Sequence, residues 1–287
     1  MLIFDKEINL KTYDCSKDGI NYDTLEIPII NLYIQTTPKC NAKCDFCNTR
    51  CVNDIFDFEK LKLVIKKLKE KNIVIGKVAI TGGEPLLEME RISNILDICN
   101  DMYLTLNTNA FDIERLKVFG KDSRIKEIHI SKHHYDNNIN DKIMSIKTPS
   151  IETLALLDFA NKIKINCVWQ KGGIENYSDL ISMMEILGVN GIKELRNISL
   201  LPLNEKSIEK YIDLTTIMKE CEEFLNNGYL YDKHMCKCLE FVYLSKSGGI
   251  VKNIIRQTFD DNYDCVKQFV YDGQFLYDGF KKNNILI

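Results

Sequence analysis

The chain has 287 residues, 45% hydrophobic and 28% charged, which suits one large domain or a domain plus an extension and excludes a disordered or collagen-like chain. With 38 Lys and Arg against 41 Asp and Glu, the formal charge is −3, which excludes the basic footprint of a dedicated nucleic-acid binder. No apolar run is long enough to span a bilayer, and charge at Asp5, Lys6 and Glu7 interrupts any signal-peptide core, so a cytoplasmic protein with no membrane partner is expected.

Residues 1–28 read as an N-terminal extension. The first apolar run, Asn31 to Gln35, predicts a strand, and Cys40-Asn-Ala-Lys-Cys44-Asp-Phe-Cys47 follows it directly. The chain holds 11 cysteines, an odd number. Without an export signal a disulfide framework is the weaker reading, and reduced thiols point to metal or cluster ligation, catalysis or burial. Three thiolates on one short loop suit three irons of a [4Fe–4S] cluster; a fourth Cys is the norm, so one iron is left open to a small molecule. Structural zinc is the rival, although it usually takes closely spaced pairs of ligands and closes all four positions. Cys51 reads as packing under the loop.

Asp57 is placed to cap a helix over Phe58 to Lys71, where Phe58, Leu61, Val64, Ile65 and Leu68 fall at helical spacing. The second strand, Val78 to Thr81, ends in Gly82-Gly83-Glu84-Pro85. Two glycines let backbone come close to a ligand and the carboxylate can hold an ammonium group, although an ordinary βα turn uses the same residues. Strands over Tyr103 to Asn107, Glu127 to Ser131, Ile163 to Trp169 and Ile192 to Leu195 then alternate with helices over Glu88 to Cys99, Ile113 to Phe119, Ile151 to Ala160, Tyr177 to Leu187 and Ile208 to Asn227. This alternation implies parallel pairing. The expected fold is α/β: a partial (β/α)6 TIM-like barrel over residues 29–227, with function at the C-terminal strand ends and a doubly wound open sheet as the competing architecture. Beyond it, Phe241 to Ser245 with Ile250 to Ile255 reads as one hairpin. Phe269-Val-Tyr271 with Phe275-Leu-Tyr277 reads as another. Residues 228–287 are thus a small β-rich C-terminal extension.

Two strand ends offer catalytic candidates. Ser131-Lys132-His133-His134-Tyr135-Asp136 holds two of the four histidines. Adjacent His residues point in different directions, so His133 or His134 can face the cavity as a proton donor or phosphate partner, with Lys132 beside it, unless the loop is merely solvated. Glu194 and Arg196 either face the cavity or form an outward salt pair. His129 reads as structural, and Trp169 as core.

Together, the three-Cys loop after strand one and the Gly-Gly-Glu-Pro turn after strand two resemble the radical S-adenosylmethionine (SAM) superfamily. The resemblance implies that Cys40, Cys44 and Cys47 hold a [4Fe–4S] cluster that binds SAM through its open iron. It places Phe46 beside the adenine and Gly82, Gly83 and Glu84 at the methionyl amine. Leu106-Asn107-Thr108-Asn109 is similar to the family's Thr-Asn-Gly strand end, with Ala110 where Gly is usual. Ser131 and Asn166 match polar SAM-facing positions. The implied chemistry is reductive cleavage of SAM to a 5′-deoxyadenosyl radical that abstracts hydrogen from a small molecule, a nucleotide included, or from a peptide. A flavodoxin- or ferredoxin-like donor would supply the electron. A non-catalytic iron–sulfur or zinc protein is the alternative, and it has no need of Gly82-Gly83-Glu84.

Pro38-Lys39-Cys40-Asn41, the Lys164 to Val168 strand and a Cys-bearing C-terminal region look like the branch containing the GTP cyclase of molybdopterin synthesis and enzymes with SPASM or twitch extensions. That likeness implies a second iron–sulfur cluster on Cys236, Cys238 and Cys265, with Cys221 a further candidate. The departures are a CxC spacing instead of CxxC, Lys252 where a later Cys is expected, and Ile285-Leu-Ile287 in place of a Gly-Gly tail. They argue against GTP cyclisation and favour buried thiols in an extension that closes the barrel's open side.

Overall fold

Strand-forming runs of Ile, Leu and Val, each followed by an amphipathic helix, return the chain to the same sheet edge again and again, and the result is a parallel ladder. The computed structural model describes residues 2–3, 6–7, 29–47, 54–202, 205–225, 231–233, 239–256, 267–280, 282 and 284–287. A short antiparallel pair, β1 (Leu2–Ile3) and β2 (Lys6–Glu7), stands apart from the main sheet. The parallel strands are β3 (Ile29–Gln35), β4 (Val74–Thr81), β5 (Leu104–Thr108), β6 (Ile125–Ser131), β7 (Ile163–Trp169) and β8 (Glu194–Ser199). Between them run α1 (Phe58–Glu70), α2 (Met89–Ile98), α3 (Ile113–Gly120), α4 (Asn137–Met144), α5 (Ile151–Ala155) and α6 (Tyr177–Val189); α7 (Glu205–Lys210) and α8 (Leu214–Leu225) follow β8.

The remaining strands, β9 (Tyr231–Lys233), β10 (Leu239–Leu244), β11 (Ile250–Arg256), β12 (Lys267–Tyr271) and β13 (Leu276–Asp278), join the same sheet. Its order is β13-β12-β3-β4-β5-β6-β7-β8-β11-β10-β9. Both expected hairpins form, β10 with β11 and β12 with β13. They sit on opposite edges: β11 pairs in parallel with β8, and β12 in parallel with β3. The end strands β9 and β13 do not pair with each other, so the barrel is open.

Alternation along each strand divides the two faces. Ile30, Leu32 and Ile34 on β3, Val78 and Ile80 on β4, Leu104 and Leu106 on β5, and Ile128 and Ile130 on β6 are fully buried. They form one core with Leu61, Val64 and Leu68 of α1 and with Ile92, Ile95 and Leu96 of α2. Burying each such side chain stabilises by about 1.5–3 kcal/mol. The alternate positions are polar at Asn31 and Gln35 on β3, Lys77 and Thr81 on β4, Thr105 and Asn107 on β5, and Glu127, His129 and Ser131 on β6. Register sets Asn107 level with His129 and Lys164, and Ser131 level with Asn166 and Arg196. A polar lumen therefore lies inside an apolar shell.

Several elements depart from expectation. Asn137–Met144 is helical although its eight residues include three Asn. The Asp136 side chain caps its start, and buried Asn140 accepts from the His133 amide at 2.8 Å, so tertiary contacts override weak propensity. The pattern over Ile208 to Asn227 splits into α7 and α8 at residues 211–213, because apolar spacing alone does not register a three-residue break. The sixth barrel strand runs from Glu194 to Ser199, beyond the expected end at Leu195. No helix among the described residues is long and apolar enough to cross a membrane.

Candidate active site at the strand ends

The two motif loops are hydrogen-bonded to each other. Thr36 donates its amide to Thr81 O at 2.8 Å, Gly83 to Thr37 O at 2.7 Å and Glu84 to Lys39 O at 2.8 Å. Gly82 has φ +137, and a Cβ on Gly83 would lie 2.0 Å from Lys39 O. Both glycines thus serve a close backbone approach, and the backbone approached is that of the Cys loop. Arg91 secures the same junction, donating to Thr36 O and Asp54 Oδ1 at 2.8 and 3.0 Å.

Glu84 is buried at the centre. Its carboxylate accepts from Thr108 Oγ1 at 2.6 Å and from the amides of Asn109 and Leu86 at 2.8 and 2.9 Å. Burial raises its pKa above the ordinary value, and those three donors offset part of the rise. The carboxylate therefore ties the β4 turn to the end of β5. Ala110, just beyond, has φ +57, a left-handed conformation that favours glycine.

A cavity of about 280 Å³ opens beside this junction. Cys40, Cys44, Cys47, Phe46, Gly82, Gly83, Glu84, Asn107, Asn109, Ser131, Asn166 and His133 all line it. Every residue expected to contact the cluster or SAM thus meets at one place. The Oδ1 atoms of Asn107 and Asn166 are buried without a hydrogen-bond partner, which calls for a ligand bearing donors. Burial, with Cys47 and Cys40 close by, pushes the Cys44 thiol up to about 12. Among the described residues no three His, Cys, Asp or Glu side chains converge on a single metal ion. A multi-iron cluster differs in taking each thiolate at a separate iron.

The catalytic candidates divide. His133 lines the cavity, edge to face with Phe46 at a centroid distance of 5.0 Å. Lys132 turns away: it is 1% exposed and donates to Asn137 Oδ1 and Thr148 Oγ1, behind the strand end. Burial pushes its pKa down to about 8. His134 stacks on Tyr135 and accepts the Asp136 amide on Nδ1, away from the cavity. Glu194 and Arg196 pair with each other, on the lumen side of β8 but outside this cavity. They belong to a charged layer in which Lys164 bridges Glu127 and Glu194 at 2.5 and 2.7 Å, and His129 Nε2 lies 2.8 Å from Glu127 Oε2. The bonds from His129 and Lys164 and the Arg196 charge outweigh burial and hold the Glu127 carboxyl well below the usual carboxylate range. Lys77 lies at the same lumen level. Burial, then Arg196 and Arg256, push its pKa down to about 7, and it pairs with no described carboxylate.

Sequence reasoning missed Thr108, whose hydroxyl holds Glu84, and Met144, Ile198, Leu200 and Leu201, which line the apolar side. A strand six extended by four residues, to Ser199, would have reached Ile198; Leu200 and Leu201 lie just beyond its end. Cys221 is buried in the apolar core with Met218 and Leu214, as a thiol that packs as a small hydrophobe would be. Cys51, Cys236, Cys238 and Cys265 lie outside the described residues.

A family model for the radical SAM superfamily matches residues 34–215. GTP 3',8-cyclase of Staphylococcus aureus (strain bovine RF122 / ET3-1) is 28% identical over 182 residues, 57% of this chain and 52% of that protein. The same-named protein of Staphylococcus epidermidis (strain ATCC 35984) is 29% identical over 177 residues, 54% and 50% respectively. The chain therefore spans about half the length of the curated relatives it matches. Streptococcus suis SuiB bound to S-adenosylmethionine superposes with a TM-score of 0.63 at 16% identity, over 91% of this chain and 66% of that one. For anSMEcpe with bound AdoMet the values are 0.55 and 16%, over 88% and 74%. These structural likenesses are of fold. The sequence match is more specific, for it spans both motif loops and the cavity they enclose, and by it this chain belongs to the radical SAM superfamily.

Proposed function

We propose that the chain is a radical SAM enzyme acting on a small acidic molecule, of which a nucleotide is one kind, in the cytoplasm. The observation that carries this reading is the meeting of three cysteines, the Gly82-Gly83-Glu84 turn and two unpartnered Asn acceptors around one cavity. The residues fit the groups: Cys40, Cys44 and Cys47 can each take one iron of a [4Fe–4S] cluster, and Asn107 and Asn166 offer acceptors to the ammonium and ribose hydroxyls of SAM. The cluster and SAM, when bound, supply the 5′-deoxyadenosyl radical that takes hydrogen from the substrate. The barrel orients both and excludes water, with the charged layer of Glu127, His129, Lys164, Glu194 and Arg196 filling the lumen below.

The acidic substrate is supported by Lys77, whose pKa is lowered by burial, then by Arg196 and Arg256, and which forms no ion pair with a described carboxylate. A peptide is the competing outcome, since SuiB has a structure with its precursor peptide SuiA. A flavodoxin- or ferredoxin-like donor would dock near the Cys40 loop to deliver the electron.

Anaerobic reconstitution followed by SAM and dithionite tests the reading. Wild type should form 5′-deoxyadenosine. Single Cys40→Ala, Cys44→Ala or Cys47→Ala variants should lose both cluster absorbance and cleavage, and Glu84→Ala should lose cleavage while keeping iron. SAM cleavage by the triple Cys variant would overturn the assignment.

A further inference from the structure

We propose that His133 reads the adenine of SAM, donating its Nε2–H to an acceptor nitrogen of the base. This rests on the cavity being the SAM site. The two sides of that cavity differ chemically. Its polar lining comes from the ends of β4 to β7, with Glu84, Asn107, Asn109, Ser131 and Asn166. Its apolar lining comes from the Cys loop, α4 and the ends of β7 and β8, with Phe46, Met144, Val168, Ile198 and Leu200. The charged amino-acid end of SAM belongs on the polar side, because desolvating an ammonium or carboxylate against Phe46 and Leu200 costs far more than covering a flat base.

His133 is the nitrogen donor on the apolar side. Its tautomer follows from its partner: the Val168 amide donates to Nδ1 at 3.1 Å, so the neutral ring carries its proton on Nε2. The ring is neutral because burial, with the Lys132 charge adding to it, pushes its pKa down to about 3. No described residue accepts from Nε2, although His133 is only 4% exposed. The ring is also held in place, by the Phe46 face at 86° and by its own amide on Asn140 Oδ1. A fixed, uncharged N–H suits a ring nitrogen such as N1, N3 or N7 of adenine better than a carboxylate, which prefers a charged donor. The residue keeps its proton throughout and acts in recognition.

Equilibrium dialysis of the reconstituted protein with SAM and with its 1-deaza, 3-deaza and 7-deaza analogues tests this without any variant. One analogue should bind about ten-fold more weakly than SAM, the loss of one buried hydrogen bond. His133→Asn keeps an acceptor for the Val168 amide and removes the outer donor. It should hold as much iron as wild type, bind SAM about ten-fold more weakly, and show no further penalty with the discriminating analogue. His133→Gln, whose amide nitrogen reaches as far as Nε2, should recover most of the affinity. Nitrogen-15 NMR should find Nδ1 bare and Nε2 protonated. A protonated Nδ1, equal binding of all four compounds by wild type, or undiminished SAM binding by His133→Asn would each overturn the His133 proposal and leave the SAM site standing. Iron-replete wild type that binds no SAM would overturn both.

Discussion

The Glu84 amide donates to the carbonyl of Lys39, the residue before Cys40, at 2.8 Å. The turn that ends β4 and the root of the Cys loop are therefore one hydrogen-bonded unit, and damage to either is felt by both. Gly83→Ala tests this directly. The added Cβ would lie 2.0 Å from Lys39 O, so the loop must shift, at a cost of about 2–3 kcal/mol or more. Iron content and melting temperature should both fall. Gly172→Ala is the control: its φ is +81 with nothing within 4 Å of the added Cβ, so it should cost only about 1 kcal/mol and leave iron content unchanged. Normal iron loading in Gly83→Ala would mean that the junction is not needed to shape the Cys loop.

Ser145→Gly should stabilise the chain. Ser145 ends α4 with φ +54 and is exposed, so it carries left-handed strain without a buried side chain to offset it. Glycine relieves about 0.5–1 kcal/mol, worth roughly 2 °C in a chain of this size. An unchanged or lowered melting temperature would contradict this.

Acid should destabilise the fold from about pH 6.5 downward. Burial, working with Arg196 and Lys77 against the bond to Glu127, pushes His129 down to about 4, and burial pushes His133 down to about 3. An unfolded histidine titrates near about 6.5. Below that pH the unfolded chain takes up protons that the folded chain refuses, so stability is present above it and is lost as pH falls towards 4. The loss for each residue is roughly 2 kcal/mol by pH 5. Urea unfolding at pH 7 and pH 5 checks it, and equal midpoints at the two pH values would show that the histidines are not held neutral.

Iron counting decides the C-terminal cysteines. With Cys221 in the core, the expected content after anaerobic reconstitution is about four irons per chain, as for one cluster. A variant with Ser at Cys236, Cys238 and Cys265 should hold the same amount. About eight irons in wild type, falling to about four in that variant, would establish a second cluster instead.

The candidate site was legible because its motifs are local. Cys40, Cys44 and Cys47 fall on one short loop whatever the rest of the chain does, and Gly82-Gly83-Glu84-Pro85 ends a strand whose apolar alternation marks it. Barrel topology followed for the same reason, since each strand and its helix are consecutive in the chain. What lies between elements was not legible. Lys132, His133 and His134 are adjacent in the sequence, yet only His133 lines the cavity. That choice is made by Asn140, Thr148 and Val168, residues from α4, the loop after it and β7, which bind the His133 amide, the Lys132 ammonium and the His133 ring. Arg196 shares the lumen face with Asn166 through strand register, and register is a long-range pairing in which a slip of one residue exchanges the two faces. The sequence by itself determined the two motif loops and the order of the barrel strands. Only the tertiary structure decided which polar side chains meet in the cavity, because those contacts join residues that local spacing cannot bring together.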